Sequence, residues 1–268
     1  SPSVLNYLVH HQYFHYIAPK QKPVSKIKAS LYMLGIKEWN LDSMMFTYLW
    51  SPFKWLGKQL QFLQSKIIIG ILTVTAIAML VLGYTHQIDF SSLGAALPVI
   101  LMSIALAVIL FAFSYRKSAL TAWIYLLTAH LFIIAAVLFN ADHIYFLEIV
   151  FYVSGVLVAF LVGYFCLQKI KRIDNDISLN QFHGYVYEQE TTGLWFLFAA
   201  IGMLGFPVTA AFIGIDVLFT DVHSNQPVLI ALMALCLIFI ELSAFRILLR
   251  IFMGPHKKLN HPVAFRSS

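Results

Sequence analysis

Apolar residues collect into six runs along this chain, approximately 66–84, 93–114, 119–139, 145–168, 193–219 and 228–252. Each is close to or above the roughly 20 residues that carry an α-helix across a ~30 Å hydrocarbon layer. The pattern predicts an all-α fold: a polytopic membrane protein with six transmembrane helices over 66–252. An amphipathic, cytoplasmic region precedes the bundle at 1–65, and a cytoplasmic tail follows at 253–268. In the N-terminal region, Asp42 is placed to cap a helix and Pro52 to kink or restart it. Trp39, Trp50 and Trp55 with Lys54 and Lys58 suit a helix lying at a membrane surface. His10, His11 and His15 have no carboxylate or cysteine beside them, so they read as part of an interfacial helix rather than a metal site.

Composition supports this class. The chain is 60% hydrophobic and only 11% charged, with a mean hydropathy of +0.79, far more apolar than a soluble domain requires. The net charge of +6 is no footprint for nucleic acid, because Lys and Arg cluster between and after the apolar runs. All 18 fall before or at the start of the first run, after an even-numbered run, or toward the end of the last. The alternate connections, 85–92, 140–144 and 220–227, hold no Lys or Arg, and their charged residues are Asp89, Asp142 and Asp221. That asymmetry puts both termini in the cytoplasm. The connection 169–192 is charged with both signs and reads as a solvated cytoplasmic loop with a short surface helix. Cys166 and Cys236 both lie inside apolar runs and read as small core residues.

The polar groups within the runs carry the candidate chemistry. Gly205-Phe206-Pro207 interrupts the fifth run, and Asp216 follows near its outer end. Glu241 lies about 20 Å into the sixth, and His130 about 16 Å into the third, both near the midplane. Ionisable groups at that depth are rare and commonly functional. A histidine and a carboxylate on neighbouring helices could share a proton. His130 reads equally well as a core histidine bonded to a carbonyl, Asp216 as a snorkelling terminal carboxylate, and Glu241, less readily, as half of a structural ion pair with an arginine. Arg246 points about 140° away from Glu241 on one helix and would bias carboxyl protonation through its charge. No GxxxxGK, HExxH or GxSxG occurs, so nucleotide binding, zinc proteolysis and hydrolase chemistry have no support. No cofactor or metal site is expected. A membrane-embedded enzyme is the weakest reading, because no nucleophile–base set converges.

Four segments resemble one family. GLWFLFAAIGMLGFPVTAAFIGIDVLF (Gly193–Phe219) resembles a broken helix of the antiporter-like membrane subunits of respiratory complex I. That family also takes in Mrp-type antiporters, membrane hydrogenase subunits and the membrane subunit of DAB-type inorganic-carbon accumulators. ELSAFRILLRIFMG (Glu241–Gly254) resembles the helix that follows, and TAHLFIIAAVLF (Thr128–Phe139) the family's histidine-bearing channel helix. WNLDSMMFTYLWSPFKWLG (Trp39–Gly57) resembles a segment near the tail of the large complex I subunit. Two departures concern charge. Ile134 stands where the family usually carries a lysine four residues after the histidine. Ile215 stands at the lysine or glutamate position of the broken helix, with Asp216 one residue on.

The resemblance implies a membrane subunit of a multi-subunit proton- or sodium-translocating complex in a bacterial inner membrane. It would provide an antiporter-like half-channel, with His130, Glu241, Asp216 and Arg246 along the ion path. Its partners would be the lipid bilayer, other membrane subunits and a cytoplasmic partner. Ile134 and Ile215 favour the alternative, a non-conducting antiporter-like scaffold that anchors a cytoplasmic catalytic partner. Six spans fall short of the family's full set, so the chain is expected to be a fragment or the C-terminal part of a longer polypeptide.

Overall fold

The computed structural model describes residues 47–48, 51–85, 96–140, 146–220, 222 and 226–255. The chain divides into two units, Ser1–Pro52 and Phe53–Ser268, and the described residues fall almost wholly in the second. They are helical, with no strand among them. The helices are α1 (Ser51–Gln59), α2 (Lys66–Thr85), α3 (Ala96–Ser114), α4 (Ala119–Leu138), α5 (Phe146–Ile173), α6 (Glu190–Met203), α7 (Ala210–Thr220) and α8 (Pro227–Ile251). Short 3-10 turns add Leu60–Gln64 and Tyr185–Tyr187. Most of the region expected to lie at the membrane surface is outside the described residues; α1 is its described end. Phe53 of α1 meets Phe239 of α8 edge-on at 4.7 Å.

Among the described residues, five helices, α2, α3, α4, α5 and α8, are long and apolar enough to cross a membrane. The fifth apolar run is divided between α6 and α7, and neither half is long enough to cross alone. Pro207 is the cause. It has no N–H to offer the Met203 carbonyl four residues back, and its ring would clash there. The chain closes α6 with a Schellman turn: Phe206 N–H donates to Ile201 O (3.3 Å) and Gly205 N–H to Gly202 O (3.2 Å). Gly205 takes φ +63°, the left-handed conformation this turn requires at that residue.

Both halves run antiparallel along the same helix, α5. Lys169 donates to Thr192 Oγ1 at 2.8 Å, Gly202 packs on Ala159, Gly155 on Ala211 and Gly214 on Tyr152. The roughly 17 residues from Lys169 back to Tyr152 span about 26 Å of α5, close to the thickness of a hydrocarbon layer. Glycine at 155, 202 and 214 lets the backbones approach; a Cβ on Gly155 would lie 2.4 Å from the Ala211 nitrogen. Small residues at contacts are how helices pack where lipid removes the hydrophobic drive between them.

α4 forms the centre and is buried along nearly its whole length. Ser118 caps it by accepting from Thr121 N–H. Sparse polar contacts tie it to its neighbours: Thr73 with Thr128 at 2.9 Å to α2, and Trp123 Nε1 to Phe160 O at 3.0 Å to α5. Tyr125 Oη donates to Leu63 O in the turn after α1. Beyond its C-terminal end, Asn140 and Gln226 exchange amide bonds of 3.1 and 2.9 Å.

The connection between α5 and α6 is not the solvated loop expected from its charges. Ile177, Leu179, His183 and Tyr185 are buried. Backbone bonds pin it to the turn before α4 (Leu179 N–H to Arg116 O, 2.7 Å; Ala119 N–H to Ile177 O, 2.9 Å). Others pin it to the end of α8 (His183 N–H to Arg250 O, 2.9 Å; Val186 N–H to Phe252 O, 3.0 Å). Arg250 lies over the Phe182 ring at 4.3 Å. Much of the charge here serves internal bonds: Asp174 accepts from Tyr185 Oη at 2.5 Å, and Asp176 from Ser178 N–H at 2.9 Å.

Candidate functional site

The helix break and the buried histidine meet. His130 projects from α4 and is 1% exposed. Its Nδ1 lies 2.7 Å from Tyr152 Oη on α5. A neutral imidazole has one donor and one acceptor nitrogen, so a bond donated by the phenol to Nδ1 leaves the proton on Nε2. Nε2 is buried and makes no hydrogen bond. The main-chain group set against the ring is that of Met203, whose carbonyl loses its normal i+4 donor to Pro207. The imidazole therefore sits against the C-terminal end of the half-helix α6.

The Ile215 side chain packs directly on Gly205: a Cβ built there would lie 2.2 Å from Ile215 Cδ1. Ile134, one turn along α4 from His130, is 1% exposed. The two positions at which the family resemblance leads one to expect charge are thus occupied by packed isoleucines. Tyr152 and the Met203 carbonyl were not among the residues expected from the sequence. Counting four residues back from Pro207 would have found the carbonyl; nothing in the sequence pairs Tyr152 with His130.

The other expected residues lie elsewhere. Glu241 is exposed on the outer face of α8 and makes no hydrogen bond or ion pair with any described residue, so the structure does not join it to His130 in a shared-proton pair. The correction has a plain geometric cause: depth along a helix follows from residue count, but the direction in which a side chain points depends on which faces its helix buries. Arg246, expected to bias a carboxyl, instead donates from its guanidinium to the Phe113 carbonyl near the end of α3. It also lies 5.7 Å from the Phe113 ring centroid. It satisfies one of the carbonyls that a helix end leaves open. Asp216 falls within α7, but its side chain lies outside the described residues.

Among the described residues, no group of three or more His, Cys, Asp or Glu side chains is placed to hold a metal. What the arrangement offers chemically is a single imidazole at a broken helix, held by a phenol on one side and set against the Met203 main chain. No family model, curated protein or solved structure matches the chain.

Proposed function

We propose that this chain is a membrane subunit of a multi-subunit proton- or sodium-translocating complex, of the antiporter-like kind, in which α6 and α7 together form a sixth, broken crossing. The observation that carries the reading is His130 buried at the break, with Nδ1 on the Tyr152 hydroxyl and the Met203 main chain, whose carbonyl Pro207 deprives of its helical donor, against the ring. Broken helices are tolerated in membranes where they are enclosed by protein or line a watered cavity, and their open ends serve ion sites. A ring that can take and release a proton there suits one station of a hydrated half-channel. Both termini facing the cytoplasm of a bacterial cell is the orientation that the basic connections favour. On this reading the route does not pass from His130 to Glu241 within the chain.

A second reading rests on Ile215 and Ile134: a scaffold of the same fold that anchors a cytoplasmic partner and conducts nothing. The experiment that separates them is proton and sodium flux through the intact complex in proteoliposomes, wild type against His130→Ala. Loss of flux with assembly retained supports the half-channel. Unchanged flux supports the scaffold.

A further inference from the structure

Glu241 sits at a depth where lipid offers it nothing. About 10 residues separate it from Ile251 and about 14 from Pro227, which places it roughly 15 Å and 21 Å from the two ends of α8. Its neighbours on the same exposed stripe, Ile238, Phe245 and Leu249, are apolar. This face of α8 is therefore a hydrocarbon surface with one carboxylate near its centre, and no described residue bonds to that carboxylate. Carboxylates in mid-membrane almost always face protein or a watered cavity and pair with another group.

Among the described residues, no cation pairs with it. The chain's Lys and Arg residues lie outside the apolar runs or near their ends, and Arg246, the nearest in sequence, is engaged by the Phe113 carbonyl. A second copy would bring the same deficit, since no Lys or Arg sits at mid-depth in any run. Lipid headgroups lie at the bilayer surface, about 15 Å away. Resting on the reading of this chain as one subunit of a membrane assembly, we infer that the Glu241 face of α8 docks a transmembrane helix of a different subunit. That helix carries a lysine or arginine at mid-membrane depth, and the Glu241 carboxylate pairs with it.

The test is photocrosslinking of the full chain in its native membrane. A benzophenone amino acid replaces Ile238 or Phe245, both exposed, while Glu241 stays in place, and mass spectrometry identifies the adduct. The expected adduct is a transmembrane peptide of another polypeptide with Lys or Arg within about one helical turn of the crosslinked site. Glu241→Lys should lower its yield at least tenfold, and exchanging the partner's basic residue for Glu should restore it. Adducts with lipid alone, with a second copy of this chain, or with a segment lacking a basic residue would each overturn the inference. Flux on the same membranes keeps the two proposals apart. His130-independent flux with the adduct intact would retire the half-channel and leave this interface, whereas His130-dependent flux with lipid adducts alone would do the reverse.

Discussion

Replacing Gly155 by alanine tests the seat of the broken helix. The new Cβ would meet the Ala211 nitrogen at 2.4 Å, with the Ala210 carbonyl carbon and the Ala211 Cα at 3.0 Å. All three are main-chain atoms at the start of α7, so no side-chain rotation relieves the contact. Overpacking of this kind costs about 1–3 kcal/mol, and a clash with backbone belongs toward the upper end. Alanine returns about 1 kcal/mol over glycine in a helix interior. The expected net loss is about 1–2 kcal/mol. At roughly 2–4 °C per kcal/mol for a domain of this size, the unfolding midpoint in detergent should fall by about 2–8 °C. Gly70→Ala is the matched control, because a Cβ there meets nothing within 4 Å; it should leave the midpoint unchanged or raise it. If both variants were equally stable, the close approach of α7 to α5 would be wrong, and with it the geometry that sets the break against His130.

Three further outcomes follow from individual contacts. Tyr152→Phe leaves His130 Nδ1 buried without its donor and should destabilise by about 1–3 kcal/mol, whereas removing both partners with His130→Phe should recover part of that loss; a double-mutant cycle in denaturant reads it. Burial and then the bond to Asp174 hold the Tyr185 phenol above its ordinary value of 10.0. The folded state thus binds that proton more tightly. Its contribution is complete below pH 10.0 and is lost as pH rises above it, so the stability advantage of wild type over Tyr185→Phe should shrink on alkaline titration. Arg246→Met leaves the Phe113 carbonyl without its guanidinium donor and should lower stability by about 1.5–3 kcal/mol. An unchanged midpoint would show that the bond does not bear on folding.

The sequence discloses this protein unevenly, and the reason is the solvent. Crossing segments are legible because lipid demands long apolar runs, and five of the six expected runs are helices of that length. The break is legible because Gly205 and Pro207 carry backbone consequences of their own. Direction around a helix is not legible. Membrane helices such as α3 and α4 are apolar on every side, so no amphipathic face tells the core from the lipid. Glu241 and His130 could be placed at similar depth but not on a common face. The packing of the α5–α6 connection was hidden too, because Asp174, Arg116 and Arg250 look like solvated charge until their hydrogen bonds or backbone contacts are seen. Arg246 was read as a charge when its guanidinium serves as a helix cap.

The most direct measurement asks whether water reaches His130. Nitrogen-15 histidine spectra of the intact complex in proteoliposomes, assigned by difference against His130→Gln, would follow exchange of the Nε2 proton after transfer to D2O. A half-channel predicts exchange within the time of sample preparation, because a ring that passes protons must be open to them. A ring proton that persists for days would contradict it, and the chain would then stand as a sealed scaffold around a dry helix break.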